Sequence, residues 1–153
     1  MKITELLSGD LVASSLESST KPELLHELAL RLVGKYTSID PDRLTQVLIE
    51  RERLGSTAIG DGIAIPHGKL SGVAQIVGLF GRHPKGIDFD SLDGRPTFLF
   101  FLLVAPEDST SLHLKALARA SRLLKDAAFR ERLMAAPDAA TIYRLIQEED
   151  SKY

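Results

Sequence analysis

The chain has 153 residues, a length typical of a single domain and sufficient to bury a core without disulfides. Hydrophobic residues make up 44% of the sequence and charged residues 26%, which argues against a disordered or a membrane protein. The net charge of −2 gives no overall field that would draw the protein to nucleic acid or to an anionic membrane.

Cysteine usage and the apolar runs indicate a cytoplasmic protein. The chain has no cysteine, which excludes disulfides and thiolate catalysis and is compatible with the cytosol. Its first ten residues, MKITELLSGD, lack the long apolar run of a signal peptide. The most apolar run, at 98–104, is too short to cross a bilayer, so no membrane insertion is expected.

The N-terminal part predicts two helices. Leu11 and Val12 could form a brief strand before them. A helix is predicted at 20–35, because Thr20 is a good N-cap and Glu23, three residues later, completes a capping box. A second helix is predicted from Asp40 to Glu52, since Asp40 is followed by proline at the first helical position.

The middle of the chain predicts strands and the C-terminal part predicts helices. Buried strands are expected at 63–65, 74–81 and 97–104. The segment 82–95 is expected to be a loop, with Ile87 and Phe89 in a short exposed strand inside it. Helices are predicted at 111–125, 127–134 and 138–149. The expected fold is one α/β domain over 1–153, with a small mixed β-sheet flanked by helices on both faces.

The glycine-rich stretch from Gly55 to Lys69, GSTAIGDGIAIPHGK, is the strongest candidate for a functional site. An apolar strand runs into Pro66 and His67, and Gly68 follows at once. Glycines let the backbone approach a ligand closely, and a strand end holds a side chain rigidly while leaving it accessible. The competing interpretation of His67 is a turn histidine that only binds backbone.

A second histidine and the arginines at the end of the second helix are candidates on weaker grounds. His113 lies in the first turn of a predicted helix, where free N–H groups favour a nearby phosphate. The competing interpretation of His113 is a partly buried histidine near a helix cap that has no role in chemistry. Arg51 and Arg53 end the second helix, and because they are two residues apart they point in different directions. The competing interpretation of each arginine is a solvated cation near the helix C-terminus.

Several familiar motifs do not fit. The segment from Gly62 to Lys69 is one residue too long for a P-loop, and Leu70 stands where serine or threonine is needed. Ile65 occupies the third glycine position of a dinucleotide fingerprint. A zinc site would need the histidines at 67, 83 and 113 to converge with a carboxylate. No metal and no cofactor is expected.

The remaining pattern suits phosphoryl transfer. The reference pKa of a histidine side chain is about 6.5, so most of these side chains are neutral and nucleophilic at the pH of the cytosol. It can attack phosphorus in line and hold the group as a phosphoramidate. The glycine-rich backbone, an arginine and a second histidine can bind the phosphoryl oxygens. Ile63, Ile65 and Leu112 are candidates for an apolar rim.

The stretch RERLGSTAIGDGIAIPHGK resembles the phosphorylation-site signature of enzyme IIA proteins of the bacterial phosphotransferase system, fructose/mannitol class. The similarity extends to LLVAPED and to the following H-L-x-x-L helix, and it is strongest to the nitrogen-regulatory branch. The resemblance implies that His67 is phosphorylated through Nε2 and that His113 and Arg51 contact the phosphoryl group. The candidates for shaping the phosphoryl pocket are Ser56, Thr57 and Gly68.

The resemblance also implies partners. The donor would be a phosphorylated HPr-type carrier protein, and the phosphorylation state would be read by regulatory target proteins. No IIB, IIC or HPr segment is fused to the chain, which favours the regulatory output. The alternatives are a sugar-transport enzyme IIA that passes phosphate to an enzyme IIB, a binding module without chemistry and, least favoured, a metal-dependent hydrolase. The sequence contains no signal for an oligomeric state.

Overall fold

The computed structural model describes all residues from Met1 to Tyr153. Five α-helices surround one six-stranded β-sheet, and two short 3₁₀ turns precede the first strand. The helices have these bounds: α1 Lys21–Val33, α2 Pro41–Arg53, α3 Thr110–Leu124, α4 Ala127–Ala135 and α5 Ala139–Asp150. The strands have these bounds: β1 Val12–Ala13, β2 Ala58–Gly60, β3 Ile63–Ala64, β4 His67–Lys69, β5 Val77–Ile87 and β6 Thr97–Ala105.

The sheet is mixed and is organised around β6. Its strand order is β1-β5-β6-β3-β2, and β4 also pairs with β6. Strands β5 and β6 are antiparallel, whereas β3 and β4 both run parallel to β6. All residues from Leu99 to Ala105 are at most 2% exposed, so both faces of β6 are covered. The predicted α/β domain with a mixed sheet among helices is confirmed.

The helix starts follow the capping signals in the sequence. The hydroxyl of Thr20 accepts a hydrogen bond from the backbone N–H of Glu23 at the start of α1. The carboxylate of Asp40 accepts one from the N–H of Asp42 at the start of α2. Because side-chain capping depends on local sequence alone, these boundaries could be predicted within two residues.

The prediction of a loop at 82–95 is wrong in its first part. Strand β5 continues through His83 to Ile87, with a register shift against β6 between Arg82 and Ile87. Phe89 is fully buried and packs against Phe100, so it does not belong to an exposed strand. Pro84 and Gly86, which are typical turn residues, lie within β5 instead.

Two other local expectations need correction. His67 is not in a turn after a strand; it is the first residue of β4, after a break at Ile65 and Pro66. On α3 the helical spacing of Leu114, Leu117 and Leu124 predicts that these leucines form the buried face. In the structure the buried residues include His113, Ala116 and Ala120, whereas Leu114 is 59% exposed.

Arg82, at the start of the segment expected to be a loop, is buried and hydrogen-bonded to distant parts of the chain. It is 7% exposed, and its Nε donates to the carbonyl of Ser14 at 2.9 Å. Its NH1 donates to the carbonyls of Leu133 at 2.9 Å and Ala136 at 2.6 Å. These carbonyls lie at the C-terminal end of α4, where backbone acceptors have no partners inside the helix. Arg82 therefore ties α4 to the sheet.

Replacing Arg82 with methionine should lower the free energy of unfolding by about 2 to 4 kcal/mol, because several buried carbonyls would lose their donor. Urea unfolding followed by circular dichroism measures this change. Arg95→Met is the matched control, since the Arg95 side chain is exposed and forms no hydrogen bond. Equal stability of the two variants would contradict the anchoring role.

Candidate active site

Strand β4 places His67 at the edge of a rigid sheet. The carbonyl of Pro66 accepts the N–H of Leu103, and His67 is then in parallel register with Leu103 on the buried strand β6. The next residue must be glycine, because a Cβ on Gly68 would lie 2.7 Å from Cγ1 of Val47 on α2. The backbone on both sides of the imidazole is thereby fixed by packing.

The two ring nitrogens of His67 have different partners. Nδ1 lies 2.8 Å from the carbonyl oxygen of Ile65, and Nε2 lies 3.2 Å from Nε of Arg51. Because a carbonyl only accepts and a guanidinium only donates, Nδ1 carries the proton and Nε2 keeps its lone pair. The free nitrogen is therefore Nε2.

Arg51 is held from the other side by a turn. It lies in the last turn of α2, and its NH1 donates to the carbonyl of Gly55 at 3.0 Å. Gly55 has a φ of 146°, a backbone conformation that residues with a side chain rarely adopt. The glycine thus lets the chain fold back after α2 and present its carbonyl to the guanidinium.

His113 faces His67 from the first turn of α3. The two ring centroids are 5.3 Å apart and the planes are tilted by 57°. His113 is 6% exposed, and its Nδ1 is buried without a hydrogen-bond partner. Burial, together with the nearby His67 and Lys69, lowers the pKa of His113 from 6.5 to about 4. The ring is neutral at physiological pH.

The protonation of His67 is also suppressed. Burial is the main reason that its pKa lies below the ordinary value, and the charge of Arg51 lowers it further. The hydrogen bond to Ile65 and the carboxylate of Glu52 act in the opposite direction. The net effect keeps the imidazole neutral, which is the form that has a nucleophilic lone pair.

A cavity of about 540 Å³ brings most of the predicted residues together. Of the residues named from the sequence, His67, His113, Arg51 and Gly68 line it. The complete wall consists of Val47, Glu50, Arg51, Leu54, His67, Gly68, Lys69 and His113. The site thus combines two neutral imidazoles with the cationic groups of Arg51 and Lys69.

Lys69 was missed in the sequence. It lies two residues after His67 on the same strand, and strand alternation puts both side chains on one face. Its ammonium donates to the hydroxyl of Thr110, the first residue of α3, at 2.7 Å. The two-residue spacing was the signal that could have found it, once the segment was recognised as a strand.

Two predicted pocket residues lie elsewhere. The hydroxyl of Ser56 donates to the carbonyl of Phe89 at 2.8 Å, and that of Thr57 donates to the carboxylate of Glu52. Neither side chain lines the cavity. The expected apolar rim also differs, because Ile63 and Ile65 belong to the core. Leu112, the third residue expected in the rim, is 44% exposed but does not line the cavity, whereas the exposed Leu54 lies on the cavity wall.

The other histidines do not join the site. His83 is buried on β5 and its Nε2 binds the carbonyl of Ser18, while His26 binds the hydroxyl of Thr45. No group of three or more histidine, cysteine, aspartate or glutamate side chains is arranged to hold a metal ion. The helices of the structure are all too short or too polar to span a bilayer.

Comparison with known proteins identifies the family of the chain. Residues 5–149 match the family model of the phosphoenolpyruvate-dependent sugar phosphotransferase system, EIIA 2. The chain is 44% identical over 146 residues to a nitrogen regulatory protein of Bradyrhizobium diazoefficiens, with 95% of each chain covered. It is also 37% identical over 150 residues to the fructose-specific EIIABC component of Bacillus subtilis, where the match spans 24% of that longer chain.

Solved structures agree with the sequence matches. The nitrogen regulatory protein IIA-Ntr of Neisseria meningitidis superposes with a TM-score of 0.87 at 33% identity, covering 94% of this chain and 98% of that one. The mannitol IIA of Escherichia coli shares the fold, with a TM-score of 0.76 at 22% identity and coverage of 92% and 98%. The chain therefore belongs to the EIIA type-2 family of the phosphotransferase system, a family of phosphotransferases that carry phosphoryl groups on histidine.

Proposed function

We propose that the chain accepts a phosphoryl group on Nε2 of His67 from a phosphorylated HPr-type carrier protein, and that its phosphorylation state controls the binding of regulatory partners. One observation supports the assignment above all others. Nδ1 is occupied by a backbone carbonyl, while Nε2 holds a lone pair beside an arginine at the wall of the cavity.

The proposed reaction is an in-line displacement at phosphorus. The lone pair of Nε2 attacks the phosphorus, and a new N–P bond forms on His67 as the bond between phosphorus and the donor nitrogen breaks. The electron pair of the broken bond returns to the donor. No proton needs to leave Nε2, because that nitrogen carries none in the free protein.

The groups around the cavity suit the negative charge of the transferred group. Arg51 has further N–H donors, so it can give up its bond to Nε2 and bind phosphoryl oxygens instead. Lys69, whose side chain lies on the same face of β4 as that of His67, adds a second cation to the cavity wall. His113 is neutral, so one of its nitrogens can donate a hydrogen bond without adding charge.

The face around the cavity is suited to a docking protein. Leu54 is 84% exposed on the cavity wall. An exposed apolar side chain beside a polar centre is typical of protein interaction sites, and it would exclude water when a carrier docks. Leu54 therefore supports a protein donor over a small phosphorylated metabolite.

A regulatory output is favoured by the relatives. The similar proteins from Bradyrhizobium diazoefficiens and Neisseria meningitidis are both nitrogen regulatory proteins, and their matches span nearly the whole chain. Phosphorylation adds about −1.5 to −2 charges and three acceptor oxygens. The cavity wall that receives them carries two cations, Arg51 and Lys69, and one carboxylate, Glu50. Such a change would strengthen the binding of some partners and weaken that of others.

Sugar transport is the second candidate. It is supported by the similarity to the fructose-specific EIIABC component of Bacillus subtilis and by the fold shared with the mannitol IIA of Escherichia coli, which has been solved in complex with phosphorylated IIB. A reconstituted assay with the candidate IIB and IIC proteins of the host distinguishes a sugar-transport output from a regulatory one. Sugar phosphorylation that requires this chain would favour transport over regulation.

His67→Ala should abolish labelling of the chain by enzyme I, an HPr-type carrier and phosphoenolpyruvate, because it removes the nucleophile. The wild-type label should be stable in base and labile in acid. Retention of the label in the variant would reject His67 as the acceptor. Absence of label in the wild type, with partner binding equal in both proteins, would favour a binding module without chemistry.

Arg51→Met should slow phosphoryl transfer about 100-fold, as expected when one donor to a developing anion is removed. Arg43→Met is the control, since Arg43 is an exposed arginine on the same helix that does not line the cavity. Its rate should stay close to that of the wild type in rapid-quench measurements. Equal losses in both variants would mean that overall positive charge, and not the geometry of Arg51, supports transfer.

The low pKa of His113 predicts a pH dependence of stability. Between pH 6.5 and about 4 the unfolded chain binds a proton at this position that the folded chain does not, so the free energy of unfolding falls as the pH is lowered through this window. His113→Gln, which does not titrate, should show a shallower fall in urea titrations. A wild-type slope in His113→Gln would contradict the assignment.

A further inference from the structure

Behind the cavity lies a buried ion pair that the transfer reaction does not itself use. The carboxylate of Glu52, near the end of α2, is 2.9 Å from the ammonium of Lys21, the first residue of α1. The Glu52 side chain is 5% exposed and that of Lys21 is 15% exposed. The ammonium also lies 4.7 Å from the ring centre of Phe89. Burying two charges is costly, so the surrounding groups must satisfy them.

The Glu52 carboxylate binds the segment that leads to one nitrogen of His67. Its Oε1 accepts the backbone N–H of Thr57 at 3.0 Å, and its Oε2 accepts the Thr57 hydroxyl. The carbonyl of Thr57 accepts the N–H of Ile65 at 3.2 Å. The carbonyl of Ile65 in turn accepts the Nδ1 proton of His67 at 2.8 Å. A continuous path of hydrogen bonds and backbone thus runs from Glu52 to Nδ1.

The same residue fixes the group at the other nitrogen. The backbone carbonyl of Glu52 accepts the N–H of Gly55 at 3.1 Å, which closes the turn after α2. The carbonyl of Gly55 then accepts NH1 of Arg51 at 3.0 Å, and Nε of Arg51 donates to Nε2 of His67. Movement of Glu52 would therefore disturb both partners of the imidazole.

We propose that the Lys21–Glu52 pair is the positioning device of the site, holding the Ile65 carbonyl and the Arg51 guanidinium against the two nitrogens of His67. Glu52 does not line the cavity, so it acts through its neighbours and not on the phosphoryl group. Lys21 balances the carboxylate charge, so that an acid can lie behind the site without repelling a dianion. This inference rests on the proposed phosphorylation of His67.

Two variants test the device. Glu52→Gln removes the charge, and Thr57→Val removes one hydroxyl while keeping the size of the side chain. In both, the transfer rate at saturating phosphorylated carrier should fall on the order of 10- to 100-fold, as when a supporting residue is displaced. The KM for the carrier should change little, because the exposed docking face is untouched. Thr57→Ser keeps the hydroxyl and should recover most of the rate.

A second readout follows the imidazole directly. Nitrogen-15 spectra of the unphosphorylated wild type should show His67 as a single tautomer with the proton on Nδ1. The two variants should show a mixture of tautomers. Because this measurement needs no donor, it tests the positioning role even where labelling fails.

Glu149→Gln is the matched control. Glu149 is an acid on α5 that is 3% exposed and pairs with Lys152 at 3.0 Å. Its removal tests the general effect of losing a buried carboxylate, and it should leave both the transfer rate and the His67 tautomer unchanged.

The outcomes are distinguishable. A wild type that takes no label rejects the proposed function, whatever the variants do. A labelled wild type, with folded Glu52→Gln and Thr57→Val proteins that transfer at the wild-type rate, rejects the positioning role alone. If Glu52→Gln does not fold, Thr57→Val carries the test. A single Nδ1–H tautomer in the folded variants also overturns the inference.

Discussion

The unequal environment of the two nitrogens of His67 is the constraint on which the site depends. A backbone carbonyl at 2.8 Å takes the Nδ1 proton and an arginine at 3.2 Å meets the Nε2 lone pair. Together they select one tautomer and orient the ring without any charged acceptor such as an aspartate. Burial keeps the ring neutral, so the nucleophile is prepared before a donor arrives.

The sheet supplies the rigidity that this arrangement requires. Strand β4 is in register with β6, whose side chains are buried on both faces, and Gly68 is packed against α2. His113 enters from α3 as a second neutral ring. Arg51, Lys69 and the exposed Leu54 also lie on the cavity wall. A dianion would thus be met by donors while the imidazole stays fixed in the fold.

The sequence was informative where the signal was local. Side-chain caps gave the starts of α1 and α2, and the glycine-rich stretch with His67 could be identified from residue types alone. The long-range geometry was not accessible in this way. Glu52 follows Leu44 and Leu48 at four-residue spacing on the buried face of α2, yet a carboxylate at a charged helix end looks solvated until Lys21 is placed beside it. The anchoring role of Arg82 was equally inaccessible, because its carbonyl partners at Ser14, Leu133 and Ala136 are distant in the sequence.

The nitrogen that carries the phosphorus tests the central claim most directly. Protein labelled with nitrogen-15 in its histidines can be phosphorylated and examined for coupling between phosphorus and each ring nitrogen of His67. We expect the coupling at Nε2, with Nδ1 still protonated and bound to the Ile65 carbonyl. A phosphoryl group on Nδ1 would require that backbone bond to break, and it would contradict the account.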